Sequence, residues 1–284
     1  MFCQPKSKPT AIRLIQPIFV NDTDVTQTTV LGQENANHSV SAVISRIEQD
    51  LDLGQKDFLL FVTTQHKQND CDWHMHHKII DTIKQRFAER IHLTVDVCLC
   101  GVREDGHCCV PDDPIKTQQQ LGALAQICVD AGADSVAPSD MQPFTVATIK
   151  ALTNKPIISY STKFRSVQYA PFRQVVDSTP NSSRWYQLDV WDRDAAIKSS
   201  IHYAAQGADY LMVKPGMSSI DLIQPIREAT QKPVGVYQTS SEWQSIQGHS
   251  QMDLMLQETH AVFQRAGAAF MISYGARLLQ KTLK

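Results

Sequence analysis

The sequence predicts a single (β/α)8 barrel, the TIM-barrel fold, and three observations support this prediction. Short apolar runs that favour β-strands alternate with segments of helical apolar spacing along the chain. Several of these runs are apolar at nearly every position, which is typical of parallel strands covered on both faces. The length of 284 residues fits one such barrel. We therefore expect one domain over residues 1–284, with residues 1–10 as a short N-terminal extension.

Eight apolar runs are the predicted strands of the barrel. In chain order they cover residues 13–20, 57–63, 92–99, 133–139, 156–161, 209–215, 233–239 and 269–275. Between the strands, helical spacing extends over residues 115–131 and 192–206. Gly132, Gly207 and Gly267 each end a predicted helix, where glycine supplies the left-handed turn that returns the chain to a strand. A doubly wound sheet is the weaker alternative, because no glycine-rich phosphate loop follows the first strand.

Composition and charge exclude two classes of partner. The formal net charge is −2 and no basic stripe is present, which argues against nucleic-acid binding. No apolar run has the length of a membrane span, and the N-terminal MFCQPKSKPT lacks the apolar stretch of a signal peptide. We expect a cytoplasmic protein that acts on a small molecule, with neither nucleic acid nor membrane as a partner.

The predicted strands end in reactive side chains, which in a TIM barrel gather at one mouth. These side chains belong to Asp96, Cys98, Cys100, Ser139, Asp140, Lys163, Lys214, Ser240 and Tyr274. Two lysines that share a mouth repel each other, and burial adds to that effect, so we expect a lowered pKa for both. A free amine attacks a ketone to form a Schiff base. The alternative, that Lys163 and Lys214 are solvated or ion-paired, stays open.

Four of the seven cysteines lie close together in the stretch DVCLCGVREDGHCCV. Thiolates are preferred zinc ligands, and Cys98 and Cys100 would point the same way on a strand while Cys108 returns through a loop. We predict that these three bind zinc and leave a coordination position open for water or substrate. His107 is expected beside the site and Cys109 outside it. Ordinary burial of small apolar side chains is the alternative.

Two further segments bear on the site. The histidine-rich stretch HMHHK at residues 74–78 is predicted to be a solvated helix face rather than a metal site. The long excursion over residues 164–188 is predicted to be a lid beside the mouth, and its Arg173 and Arg184 are candidates to clamp a carboxylate. Ordinary surface arginines are the alternative reading of these two residues.

With these motifs the chain resembles the 5-aminolevulinate dehydratase family, also called porphobilinogen synthases. The resemblance covers nearly the whole chain after the first ten residues. Its motifs are PIFV, DVCLC with GHC, AGADSVAPSDM, SYSTKFRS with YAPFR, GADYLMVKPGM, VYQTSSEW and RAGAAFMISYGA, all in the family's order. Several motifs of this length in one order make the assignment specific.

The resemblance implies that two 5-aminolevulinate molecules condense, with loss of water, to the pyrrole porphobilinogen. Lys163 and Lys214 would each form a Schiff base with one substrate, with Lys214 as the principal catalytic lysine, and Asp96 would assist proton transfer. Zinc, held by the three cysteines, would polarise a substrate or activate water. Arg173 and Arg184 would bind the carboxylate of one substrate molecule. Ser240 and Tyr274 would bind the carboxylate of the other.

The chain departs from the family pattern in several places. QPFT at residues 142–145 replaces an aspartate–glycine–arginine, GVRED at 101–105 replaces an aromatic–hydroxyl pair, and SSE at 240–242 replaces SGE. The family's N-terminal arm is nearly absent, so a homo-oligomer smaller than the family's octamer is expected, with a dimer as the expected size. Two alternatives stay open: a divergent paralogue that condenses another amino-ketone, and a non-catalytic binding protein that retains the pocket.

Overall fold

The computed structural model describes residues 12–70, 73–179 and 182–283, so the predicted extension at residues 1–10 lies outside the described residues. Within them the strands are β1 (Arg13–Asn21), β2 (Asn37–His38), β3 (Asp57–Thr63), β4 (His92–Val97), β5 (Ser135–Pro138), β6 (Ile158–Lys163), β7 (Tyr210–Lys214), β8 (Val234–Tyr237) and β9 (Phe270–Ile272). The helices are α1 (Val40–Leu53), α2 (His74–Phe87), α3 (Pro114–Asp130), α4 (Thr145–Leu152), α5 (Ala170–Val175), α6 (Arg193–Ala205), α7 (Ile223–Thr230), α8 (Ser240–Gln244), α9 (Met252–Arg265) and α10 (Ala276–Thr282). Short 3-10 helices cover Gln33–Asn35, Ala88–Arg90, Val167–Tyr169 and Met217–Leu222.

Eight of the strands form the barrel, and every pairing between them is parallel. Their order is β5-β4-β3-β1-β9-β8-β7-β6, and a parallel bridge between Val136 and Ile157 joins the two ends. The short β2 lies off this path and pairs with β1. The predicted TIM barrel is therefore confirmed.

Buried apolar strands and capped helices account for this fold. Every residue of β1 except Arg13 is buried, as expected for a strand with helices outside and side chains inside. The predicted helices at 115–131 and 192–206 are α3 and α6, whose first turns are capped by the side chains of Asp113 and Asp192. Among the described residues, no helix is long and apolar enough to cross a membrane.

Several predicted strand boundaries need correction, and those of β4, β6 and β8 change the placement of site residues. β4 ends at Val97 because a turn closed by hydrogen bonds to the Leu99 carbonyl follows, so Cys98 and Cys100 lie in a loop. β6 starts later than predicted and ends at Lys163 itself. β8 ends at Tyr237, since Thr239 caps α8, and Ser240 is therefore the first residue of that helix.

Candidate active site

The two predicted lysines are the last residues of neighbouring strands. β6 and β7 pair in parallel, and Lys163 and Lys214 are register partners at the end of the ladder. A shift of register between Ser159 and Thr162 breaks the regular alternation of β6, so Tyr160 and Lys163 both line the same cavity although they are three residues apart. Lys214 lines that cavity too. The structure thus brings both amines to one mouth.

Lys214 lies in a pocket of aromatic rings. Its Nζ is 3.8 Å from the centroid of Tyr237 and 5.2 Å from those of Tyr160, Tyr169 and Phe172. Among the described residues, no carboxylate forms an ion pair with it. Burial, followed by the charge of Lys163, lowers the pKa of Lys214 to about 7. A large fraction of this side chain is therefore a free amine at neutral pH.

Lys163 behaves differently, and the prediction that its pKa is lowered is wrong. Burial acts to lower the pKa of Lys163, but the electrostatic effect of the nearby cysteine sulfurs, Cys108 first among them, outweighs it, and the pKa lies above its usual value. The Nζ also donates a hydrogen bond to the carbonyl of Ser139. Repulsion by Lys214 does not dominate here, because the sulfurs lie close to Lys163.

The three predicted metal ligands form one buried cluster. The Sγ atoms of Cys98, Cys100 and Cys108 all lie within 4.8 Å of one another, and Cys98 Sγ is 3.3 Å from Cys100 Sγ. Hydrogen bonds from Cys100 and Cys98 lower the pKa of Cys108, so one thiolate is already favoured. Three converging sulfurs are the donor set of a metal such as zinc, and the residues present fit that ion.

The side chains next to the sulfurs hold the cluster in place. The backbone N–H of Cys108 donates a 2.9 Å hydrogen bond to the Tyr186 hydroxyl, which lies 3.3 Å from Nδ1 of the buried His107. Nε2 of His107 is 2.9 Å from the hydroxyl of Ser182. Cys109 is buried but does not belong to the cluster. His107 therefore supports the cluster through Tyr186, as expected from the sequence.

Asp96 lines the lysine cavity together with Cys100 and Ser139. Its Oδ1 is buried and has no hydrogen-bond partner. Burial raises the pKa of Asp96 to about 6, against the opposing positive charge of Lys163. A carboxyl group in this state can accept or release a proton near neutral pH.

The segment predicted to be a lid contributes Tyr169, Phe172 and Arg184 to the lining of the cavity. It is anchored at its base by a parallel bridge between Phe164 and Leu188. Nη2 of Arg184, which lines the lysine cavity, donates to the carbonyls of Gly106 at 2.7 Å and Ser178 at 2.6 Å. Arg173, half-buried, lies 5.7 Å from the ring centroid of Tyr169. The cavity that this segment helps to line has a volume of about 10 Å³, which is smaller than a substrate molecule.

Ser240 and Tyr274 do not line this cavity. Oγ of Ser240 accepts a 3.0 Å hydrogen bond from the backbone N–H of Phe172, and so ties the lid to α8. The Tyr274 ring stacks on Phe19 at 6.3 Å and lies 6.2 Å from the ring of Tyr237. Their predicted contacts with a substrate carboxylate stay predictions.

The histidine-rich stretch contains a correction. His74 and His77 are exposed, as predicted, but His76 is buried at 4% exposure and packs edge-on against Trp73. It lines a cavity with Cys98 and Cys100, and burial lowers its pKa to about 4. Helical spacing could have revealed this, because His76 continues the buried face of Ile79, Ile80, Ile83 and Phe87.

Sequence reasoning also missed the aromatic residues around Lys214. Tyr160 lies three residues before Lys163, a spacing that regular strand alternation assigns to the opposite face. Tyr169 and Phe172 reach the amine from the lid, and Tyr237 reaches it from β8. Only the YAPFR segment offered a signal, since its aromatic residues flank the candidate Arg173.

The substituted segment at residues 142–145 lies away from the lysines. The Asp140 carboxylate accepts hydrogen bonds from the Thr145 hydroxyl at 2.7 Å and from the Gln142 N–H at 2.8 Å. Burial raises the pKa of Asp140 to about 7. None of these three residues lines the lysine cavity.

Comparisons with known proteins agree with one another. A family model described as delta-aminolevulinic acid dehydratase matches residues 4–282. The dehydratase of that name from Helicobacter pylori is 33% identical over 268 residues, covering 87% of this chain and 83% of that protein. The Bacillus subtilis dehydratase is 31% identical over 294 residues, covering 95% and 90%.

Solved structures give the same family and, at lower similarity, the same fold. The Toxoplasma gondii delta-aminolevulinic acid dehydratase (porphobilinogen synthase), solved with its reaction product porphobilinogen, superposes with a TM-score of 0.88 at 27% identity, covering 97% of this chain and 86% of that one. The Yersinia pestis dihydropteroate synthase superposes with a TM-score of 0.58 at 11% identity, covering 98% and 94%, which shows a shared barrel only.

Proposed function

The chain belongs to the delta-aminolevulinic acid dehydratase family of lyases, and from that membership we propose that it condenses two 5-aminolevulinate molecules into porphobilinogen. Two molecules of the amino-ketone combine and two waters leave, so the balance needs no oxidant or reductant. The observation that carries the proposal is the meeting of Lys163, Lys214 and Cys100 in the lining of one cavity.

Lys214 is the principal nucleophile in this proposal. Its pKa of about 7 keeps part of its amine uncharged, because burial and the charge of Lys163 outweigh the opposing effect of the Asp96 carboxylate. The free amine attacks the ketone carbon of one substrate, and water leaves as the Schiff base forms. A nucleophilic atom of the second substrate then bonds to the Schiff-base carbon, the bond from that carbon to the lysine nitrogen breaks, and the Lys214 amine is regenerated as the product forms.

Lys163 holds the second substrate. Its hydrogen bond to Ser139 and the nearby sulfurs favour the protonated form, so a proton must leave before this amine can attack. Asp96 lines the same cavity with a pKa of about 6, which suits it to take that proton and to return it later. The unpaired Oδ1 of Asp96 is the atom available for this transfer.

Cys98, Cys100 and Cys108 would hold a zinc ion. Bound there, zinc would polarise a substrate carbonyl or lower the pKa of a water molecule. The chain's own contribution is to gather the three thiolates and to fix Cys108 through the Tyr186 hydroxyl.

Charged and polar side chains around the mouth would bind the substrate carboxylates. Arg184 lines the cavity and Arg173 lies nearby on α5. The pKa of Arg173 is lowered mainly by burial and secondly by the charge of Arg184. Two close guanidinium groups favour an anion between them. Ser240 and Tyr274 would bind the second carboxylate once the lid opens and frees the Ser240 hydroxyl.

We also propose a cytoplasmic homo-oligomer. The five described cysteines are all free thiols, which suits a reducing compartment. Val167, Val190 and Trp191 are exposed at 85%, 53% and 91%, and apolar exposure of this size beside the mouth favours contact with a second copy. Light scattering on the purified protein measures the mass.

The experiment that tests the proposed function is incubation of the purified chain with 5-aminolevulinate and zinc, scored for the pyrrole with a colour reagent. The expected result is pyrrole formation that stops after chelation and returns with zinc. Absence of pyrrole, with zinc bound and the protein folded, would contradict it. Parallel incubation with other amino-ketones tests the substrate.

A further inference from the structure

A pocket on the outer surface lies next to the cysteine cluster. It has a volume of about 190 Å³, and the described residues that line it are Asp22, Thr64, His66, Gln68, Trp73, Met75, His76 and Val102. Carboxylate, imidazole and thioether groups are all ligands of divalent transition metals. Among the described residues of its lining there is no lysine or arginine.

His76 connects this outer pocket to the interior. It also lines an inner cavity together with Cys98, Cys100 and Asp96. That inner cavity shares Asp96 and Cys100 with the lysine cavity. The imidazole is 4% exposed and its Nδ1 has no hydrogen-bond partner. This leaves a ring nitrogen of His76 available to a ligand between the two cavities.

The lysine mouth is a poor route for a cation. Lys163, Lys214 and Arg184 line the cavity on that side. A divalent ion passing the protonated Lys163 and Arg184 is repelled, and low dielectric increases the repulsion. The route through His76 instead carries Asp22 at the outer end and Asp96 at the inner end, and no described residue of either lining is a lysine or an arginine.

We propose that a divalent metal ion reaches the three sulfurs through the outer pocket and that His76 transfers it inward as a transient ligand. This inference rests on the metal centre of the proposed function. Among the described residues, the three sulfurs form the only group of metal-binding atoms gathered within 4.8 Å. The side chains of the outer pocket therefore bind an ion only transiently, whereas the three cysteines bind it stably.

The test uses the whole chain, stripped of metal by a chelator under reducing conditions, and Co²⁺ as the probe. Stopped-flow absorbance follows the thiolate-to-cobalt charge-transfer band. His76→Gln keeps a similar size but removes the imidazole. We expect loading to slow by about tenfold or more, with an unchanged final spectrum and one Co²⁺ per chain. His77→Gln, on the exposed face of the same helix turn, is the matched control and should load at the wild-type rate.

A wild-type loading rate in folded His76→Gln overturns the proposal. If that variant does not fold, Asp22→Asn at the exposed pocket entrance decides instead: a rate reduced about threefold, more strongly at low salt, supports the route, and an unchanged rate overturns it. If wild-type protein develops no charge-transfer band, the metal centre itself is wrong and the inference fails with it. A normal charge-transfer band that forms at equal rates in wild type and in the variant supports the metal centre and contradicts only the proposed route.

Discussion

Lys163 and Lys214 are register partners at the ends of β6 and β7, yet their pKa values move in opposite directions. Burial and the charge of its partner lower the pKa of Lys214 to about 7. The cysteine sulfurs raise the pKa of Lys163 despite burial. Two lysines in one mouth are therefore prepared for different tasks, one as a ready nucleophile and one as a cation that must first lose a proton.

Replacing the nucleophile should abolish activity and increase stability. Lys214→Met removes the amine and also removes a buried ammonium group without an ion-pair partner, so we expect no measurable pyrrole and a gain of about 1–3 kcal/mol in the free energy of unfolding at neutral pH. Urea unfolding measures the gain. A less stable variant would contradict the account of the aromatic pocket.

The same residue predicts a pH dependence of stability. Lys214 is protonated in the unfolded chain up to its usual pKa of 10.5, but in the folded protein only up to about 7. The unfolded state binds more protons between these values, so wild-type stability should rise with pH across this window relative to Lys214→Met. Urea titrations of both proteins at several pH values measure the difference. Parallel curves would show that the pKa of Lys214 is not lowered.

Activity should decline on the acid side of neutral pH. Below about pH 7 the amine of Lys214 becomes protonated, and kcat/KM should fall about tenfold per pH unit. Below about pH 6 protonation of Asp96 should make the decline steeper. Circular dichroism over the same range controls for unfolding. A profile that stays flat down to pH 5.5 in folded protein would rule out the amine as the titrating nucleophile.

Removing one sulfur should remove the metal. Cys100→Ser breaks the three-sulfur cluster, and we expect bound zinc to fall from about one per chain to near zero, with activity at least about a hundredfold lower. Cys109→Ser is the matched control, because this neighbouring thiol is buried but outside the cluster. Equal zinc contents in the two variants, measured by elemental analysis, would contradict the assigned ligands.

Weakening the contacts of the predicted lid should alter substrate binding. Arg184→Gln removes the charged hydrogen bonds to the Gly106 and Ser178 carbonyls and a candidate carboxylate partner. We expect KM to rise about tenfold or more, and limited proteolysis within residues 164–188 to accelerate. Arg165→Gln, whose side chain is exposed on the same segment, is the control. Unchanged KM and proteolysis in Arg184→Gln would remove this arginine from the site.

The sequence predicted what depends on periodicity and position. The barrel, the two lysines at strand ends and the three clustered cysteines all followed from alternation of strands and helices and from spacing. The direction in which the pKa of Lys163 moves could not be predicted from the sequence, because it depends on sulfurs that only the fold brings close to this lysine. The rings around Lys214 were hidden for a related reason, since the irregularity in β6 reverses the face of Tyr160.

His76 illustrates a different failure. Three histidines in five residues have the composition of a solvated surface, and the stretch was therefore predicted to be exposed. The helical spacing, which places His76 on the buried face, was given less weight. The burial of His76 follows from its place on the face that packs Ile79, Ile80 and Ile83 against the barrel. Its position beside the cysteine cluster depends on the tertiary fold, which a single sequence does not reveal.

The most direct test of the two-lysine site is mass spectrometry after borohydride reduction in the presence of 5-aminolevulinate. Reduction fixes each Schiff base as a stable secondary amine on its lysine. We predict substrate-derived adducts on Lys214 and Lys163, with the Lys214 adduct forming first and persisting in Lys163→Met. Adducts on neither lysine, or on other lysines to the same extent, would contradict the account.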